Sequence, residues 1–171
     1  MTSKNINIVG KNNIEKLTKT KCDREIIKKF DIQDSDYIHS NQVLMINQYF
    51  LENKCTSEKI LLRELKNKLN SYKGQDRKKQ CFDNNYFISL ERIIELLVAC
   101  KLRCYYCKDQ IYIYYKNIRE PKQWTLDRID NDQGHNMDNC VISCLSCNIQ
   151  RKTLDDNKFK FTKQMKIIKR E

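Results

Sequence analysis

The residues whose types and spacing can do chemistry crowd into the C-terminal half. Cys104-Tyr105-Tyr106-Cys107 and Cys144-Leu145-Ser146-Cys147 are two Cys-x-x-Cys pairs separated by 36 residues. Four thiolates satisfy tetrahedral zinc, and each pair can form a tight turn that points two sulfurs at one ion. The second pair is expected to open a helix, whose free amides also favour thiolate charge. Buried free thiols and a redox Cys-x-x-Cys are the alternatives. A redox site needs only one pair and a thioredoxin-like βαβ setting, which this pattern lacks. Cys100 and Cys140 each lie four residues before an expected ligand and can replace one if the register is shifted. Otherwise Cys100 closes the preceding helix and Cys140 is a small buried strand residue. Cys22, Cys55 and Cys81 are isolated.

Between the pairs runs WTLDRIDNDQGHNMDNCVISC, and the helix opens with CLSCNIQRK. Asp127 and Asn148 flank the two cysteine elements. Asp130 and Asp132 lie in Asp-Asn-Asp-Gln-Gly, a stretch that favours a turn. Arginine stays protonated at neutral pH and cannot act as a base, so Arg128 is expected to hold a phosphate or stabilise developing charge. His135 lies in the loop joining two expected strands, and a turn back through Gly134 can bring its imidazole toward Asp127. An ordinary histidine titrates in the range a base needs near neutrality. His39 is the only other histidine and lies far away in sequence. Arg151, Lys152 and the basic stretch Lys158 to Arg170 can meet phosphates. The plainer readings are a loop-packing histidine, an Asp127–Arg128 ion pair, a helix-start Asn148 and a solvated cationic face.

The order of these features resembles the HNH nuclease family with its ββα-metal fold, particularly zinc-bearing members with an LDRIDN sequence found in viruses and phages. The resemblance covers Cys104 to Lys152, under a third of the chain. It implies that Asp127 and Asn148 hold a catalytic ion, for which two hard oxygen donors suit magnesium or manganese, with Asp130 and Asp132 as runner-up ligands, and that Asn139 ties down the loop. It also implies hydrolysis of DNA phosphodiesters, with RNA as the other polynucleotide partner. Arg128 stands where the family keeps its catalytic histidine, which leaves open a retired, zinc-stabilised module that binds nucleic acid without cutting it. A zinc-built protein-interaction domain is a third class.

The elements that must position these residues are expected to form an α+β protein, with a mostly helical N-terminal half followed by the zinc-stabilised ββα-metal module. Thr56 or Ser57 can cap a helix in which Leu61, Leu62, Leu65 and Leu69 repeat at helical spacing until Gly74. Residues 74–79 (GQDRKK) then read as an exposed turn. Ser89 caps a second helix with the apolar face Leu90, Ile93, Ile94 and Leu97. Ile111 to Tyr115 (IYIYY), Trp124 to Ile129 and Cys140 to Ser143 read as strands, a helix begins near Leu145, and Lys158 to Arg170 is a last basic helix. A soft boundary near Asp83 divides a helical region, 1–83, from the nuclease-like region, 84–171.

Composition sets the outer limits. The chain has 171 residues, 40% hydrophobic and 32% charged, with a formal net charge of +11. A basic balance raises the odds of a polyanionic partner without naming one. The longest apolar run, Ile93 to Cys100, is broken by Glu95 and is far short of a membrane span, and residues 1–10 lack a signal peptide's apolar core. The expectation is a soluble intracellular protein, in host cytoplasm or nucleus if viral. Met1 to Gln42 is polar and weakly periodic, consistent with short helices, and the oligomeric state is left open.

Overall fold

The computed structural model describes residues 10–11, 30–53 and 57–165. Among them are a short 3-10 turn at Asp34–Tyr37, five α-helices and one two-stranded sheet. The helices are α1 (His39–Phe50), α2 (Glu58–Lys78), α3 (Leu90–Ala99), α4 (Leu145–Arg151) and α5 (Asp156–Gln164), and the strands are β1 (Trp124–Arg128) and β2 (Cys140–Cys144). Most of the expected short helices of Met1 to Gln42 lie outside the described residues, as do Cys22, Cys55 and Thr56. Helix α1 was not legible in the sequence.

Helix α2 is the long element that reaches the site. Leu61, Leu65, Tyr72 and Asp76 are buried along one stripe, which is the 3.6-residue period continued past its apolar members. The expected stop at Gly74 is therefore corrected: the helix runs to Lys78, and the turn comes only at Lys79. Gly in a helix interior costs about 1 kcal/mol relative to Ala. Gly74 sits on the open side, with nothing within 4 Å of where a Cβ would lie, while the buried Tyr72 and Asp76 anchor the turns around it. Ser57 stands at the cap position but sends its hydroxyl to Asp36. Ser89 does cap α3, accepting from the Arg92 amide at 3.1 Å. Cys100 is the residue that ends α3.

The IYIYY segment is buried but is not a strand. Gln42 of α1 takes two of its amides, its Oε1 accepting from Ile113 N at 2.7 Å and Tyr114 N at 3.1 Å while Nε2 donates to Tyr114 O, and Ile111 N and Tyr112 N donate to the loop carbonyls of Leu102 and Lys122. Ile111, Ile113, Tyr114 and Tyr115 all enter the core. The β-branched and aromatic content reported burial, and a buried glutamine together with loop carbonyls replaced the neighbouring strand. The buried cluster continues from Met45 of α1 to Phe159 of α5, across position 83.

Strands β1 and β2 pair antiparallel, with Trp124 opposite Cys144 and Arg128 opposite Cys140. Helix α4 follows β2 directly and packs on both strands, and α3 packs on β2. Alternation along β1 sends Thr125 and Asp127 to one face and Leu126 and Arg128 to the other. The last helix is shorter than expected: Asp155 caps it and it ends at Gln164, with 166–171 outside the described residues. No helix among the described residues is long and apolar enough to cross a membrane.

Candidate functional site

The four cysteines of the two pairs come together. The sulfurs of Cys104, Cys107, Cys144 and Cys147 all lie within 4.8 Å of one another, and neither Cys100 nor Cys140 joins them. A Zn–S bond of about 2.3 Å in a tetrahedron needs sulfurs about 3.8 Å apart, so the cluster is of the right size. The surrounding amides also fit thiolates: Cys144 N donates to Cys104 Sγ and Cys147 N to Cys144 Sγ, both at 3.3 Å. Hydrogen bonds from Cys144 and Cys147 hold the Cys104 thiol well below its usual range, and the same contact with Cys104 pushes Cys144 up to about 12. Crowded thiols that compete for one proton are the arrangement a dication relieves.

The first cysteine turn touches Asp127 of β1. Tyr106, between two of the cysteines, donates its hydroxyl to Asp127 Oδ2 at 2.6 Å. Arg151 of α4 reaches Asp127 Oδ1 at 3.4 Å and donates to the carbonyls of Arg128 at 2.8 Å and Ile129 at 2.6 Å. Burial raises the Asp127 carboxyl above its ordinary value, opposed by the Tyr106 hydrogen bond and the Arg151 charge. Arg151 is fully buried, which corrects its expected role as a phosphate contact: its guanidinium is spent inside the protein. Asn148 donates Nδ2 to Thr125 Oγ1 at 3.2 Å and to Leu126 O at 3.0 Å, which turns its amide oxygen away from those partners and leaves it as a hard donor.

The loop of residues 129–139 is tied as expected of Asn139. Its Oδ1 accepts from Asp130 N, and its Nδ2 donates to Asp130 O and Gly134 O, all between 2.8 and 2.9 Å. Asp130 turns back on Asp132 N and Gln133 Nε2, the turn-forming use of these aspartates. Arg128 donates to Gln133 O at 2.9 Å and approaches the sulfur of Cys81.

His135 is almost completely buried. Its Nδ1 lies 2.7 Å from Asp76 Oδ1, its backbone amide donates to Asp76 Oδ2 at 2.7 Å, and its ring packs on Tyr72 with centroids 4.6 Å apart. Burial lowers its proton affinity, and the Asp76 hydrogen bond and charge oppose that shift. Gly134 is required here: a Cβ would lie 2.5 Å from the backbone oxygen of Cys81 and 3.1 Å from Asp76 Oδ2.

These groups line one cleft of about 280 Å³. Asp127, Arg128, His135 and Asn148 share its wall with Tyr72, Lys79 and Lys152, and both lysines are exposed. His39 lies elsewhere, bonded to Leu102 O. Sequence reasoning missed Asp76, Tyr72 and Tyr106. A carboxylate four residues after Tyr72 on the buried stripe of α2 was the available signal for Asp76. No family model matches the chain, and neither a curated protein nor a solved structure matches it.

Proposed function

We propose that the chain is a zinc-stabilised, divalent-metal-dependent endonuclease of HNH type that hydrolyses DNA phosphodiester bonds. The observation that carries this reading is the single cleft shared by an oxygen-donor pair, a buried histidine and three cations. Asp127 and Asn148 are the hard donors for magnesium or manganese, which supplies charge stabilisation at the scissile phosphate. Each carboxylate oxygen of Asp127 can accept a second ligand besides its present partner. His135 takes a proton from water as the water oxygen bonds to phosphorus, and the bond from phosphorus to the departing oxygen breaks. Arg128 balances the developing negative charge from the cleft wall, and exposed Lys79 and Lys152 hold the flanking phosphates.

The test is incubation of purified, zinc-loaded protein with supercoiled plasmid and magnesium or manganese, with chelator as control. Nicking or linearisation that needs the ion is expected. Salt-sensitive DNA binding without any cleavage would select the retired binding module instead, a reading favoured by Arg128 and by the partners that already occupy Asp127.

A further inference from the structure

We infer that Asp76, contributed by the N-terminal helical region, is the positioning residue that makes His135 a base toward the cleft. The inference rests on the nuclease reading for its chemistry but on independent geometry for its structure. Asp76 is completely buried at the end of α2 and meets the histidine twice, at the backbone amide and at Nδ1, each at 2.7 Å. A backbone amide is a fixed donor, so one carboxylate oxygen is committed as acceptor. The other faces Nδ1 and, in the ionised carboxylate, can only accept. The proton of a neutral ring therefore belongs on Nδ1, and the lone pair belongs on Nε2. That nitrogen has no hydrogen-bond partner among the described residues, and His135 lines the cleft.

The surroundings hold this arrangement in place. Tyr72, four residues earlier on α2, packs on the ring at an interplanar angle of 36° and limits its rotation, and Tyr72 Oη accepts from Leu126 N of β1 at 3.0 Å. Ile88 N donates to His135 O at 2.8 Å, and Cys81 N to Asp76 O at 3.0 Å, so the segment after α2 clamps the histidine loop against the helix. The charged and titratable groups around the ring are Asp76 and Tyr72 from α2, Lys79 just beyond it and Arg128 from β1. Asp76 is the anion among them, and it stabilises the imidazolium formed when Nε2 takes a proton.

Asp76→Asn separates positioning from packing. The His135 amide still needs an oxygen, so the new side-chain amine must face Nδ1 and donate to it. The ring proton then moves to Nε2, and the lone pair leaves the cleft. With only two histidines in the chain, ¹⁵N imidazole spectra of the full-length zinc-loaded protein resolve both, and His39→Gln assigns them. Wild type is expected to carry neutral His135 as the Nδ1–H tautomer, and Asp76→Asn as Nε2–H. Plasmid cleavage by the variant should fall about 100-fold or more, the size of losing a general base, and the acid limb of its pH–rate profile should move to lower pH because a favourable anion is gone. A wild-type ring protonated at Nε2 would overturn the inference even if the variant failed to fold. A folded variant cutting at the wild-type rate with an unmoved acid limb would overturn it too. If wild type cuts nothing with either ion, the nuclease reading fails, and the tautomer measurement alone decides what Asp76 does.

Discussion

Asp127 and His135 face one cleft, but their supports differ in origin. Asp127 is held from nearby in the chain, by Tyr106 at 21 positions and Arg151 at 24, both on elements that carry or adjoin the cysteine ligands. His135 is held by Asp76 at 59 positions, on a helix that contributes no cysteine to the cluster. One side of the cleft is built by a short segment gathered around the four-cysteine cluster, and the other by docking that segment onto α2. Perturbing the metal should damage the first side directly, whereas perturbing the helix should reach the second.

The largest effect should come from the metal. Cys107→Ser or Cys144→Ser removes one of four sulfurs and leaves the Tyr106 turn without its fixed ends, and small structural zinc sites contribute on the order of 10 kcal/mol to folding. Near-stoichiometric zinc is expected in wild type, with loss of both zinc and cooperative thermal unfolding in the variants. A zinc-free wild type that unfolds cooperatively would remove the metal-gathered side of the comparison.

Next in size is the anion inside that side. Sequence alone makes Asp127→Ala a simple removal of a ligand, but the buried Arg151 changes the expectation. Without Asp127 its guanidinium loses its ion-pair partner, and leaving a buried charge uncompensated costs about 3–5 kcal/mol. Asp127→Asn keeps the shape and one acceptor oxygen, so it should unfold at higher denaturant than Asp127→Ala while losing metal-dependent cleavage equally. Coincident denaturation curves for the two variants would show that the pair does not hold this face.

The same contrast separates what is legible in the residues from what is not. The Cys-x-x-Cys pairs, β1, β2, the start of α4 and the loop role of Asn139 were legible because spacing and local hydrogen bonding determine them. The end of α2 was not, because Gly74 marks a stop by propensity while tertiary anchors at Tyr72 and Asp76 override it. IYIYY misled because β-branched and aromatic content signals burial whether a strand or a glutamine side chain and loop carbonyls satisfy the amides. Arg151 misled because a helix cation that faces solvent is indistinguishable, in sequence, from one turned inward onto carbonyls. The partnership of Asp76 with His135 had no local trace except a carboxylate in phase with an apolar stripe.

The smallest effect is a pH dependence that tells the two sides apart by sign. Burial outweighs the Asp76 contact and lowers the His135 proton affinity in the folded protein, whereas the unfolded ring titrates near about 6.5. The unfolded chain therefore binds this proton more readily. The resulting stability is fully present above the unfolded value and is lost as pH falls through the lower folded value. Asp127 has the opposite sense: burial raises its carboxyl, so its contribution is present below the unfolded value and is lost as pH rises through the folded one. His135→Gln removes the first dependence and leaves the second. In urea titrations the stability gap between wild type and His135→Gln should narrow from about pH 7.5 to about pH 5.5, around the ordinary histidine range. A gap that widened on acidification would mean that the Asp76 charge outweighs burial, Arg128 and Lys79 together, making the pair a buried imidazolium–carboxylate bridge with no lone pair for the cleft.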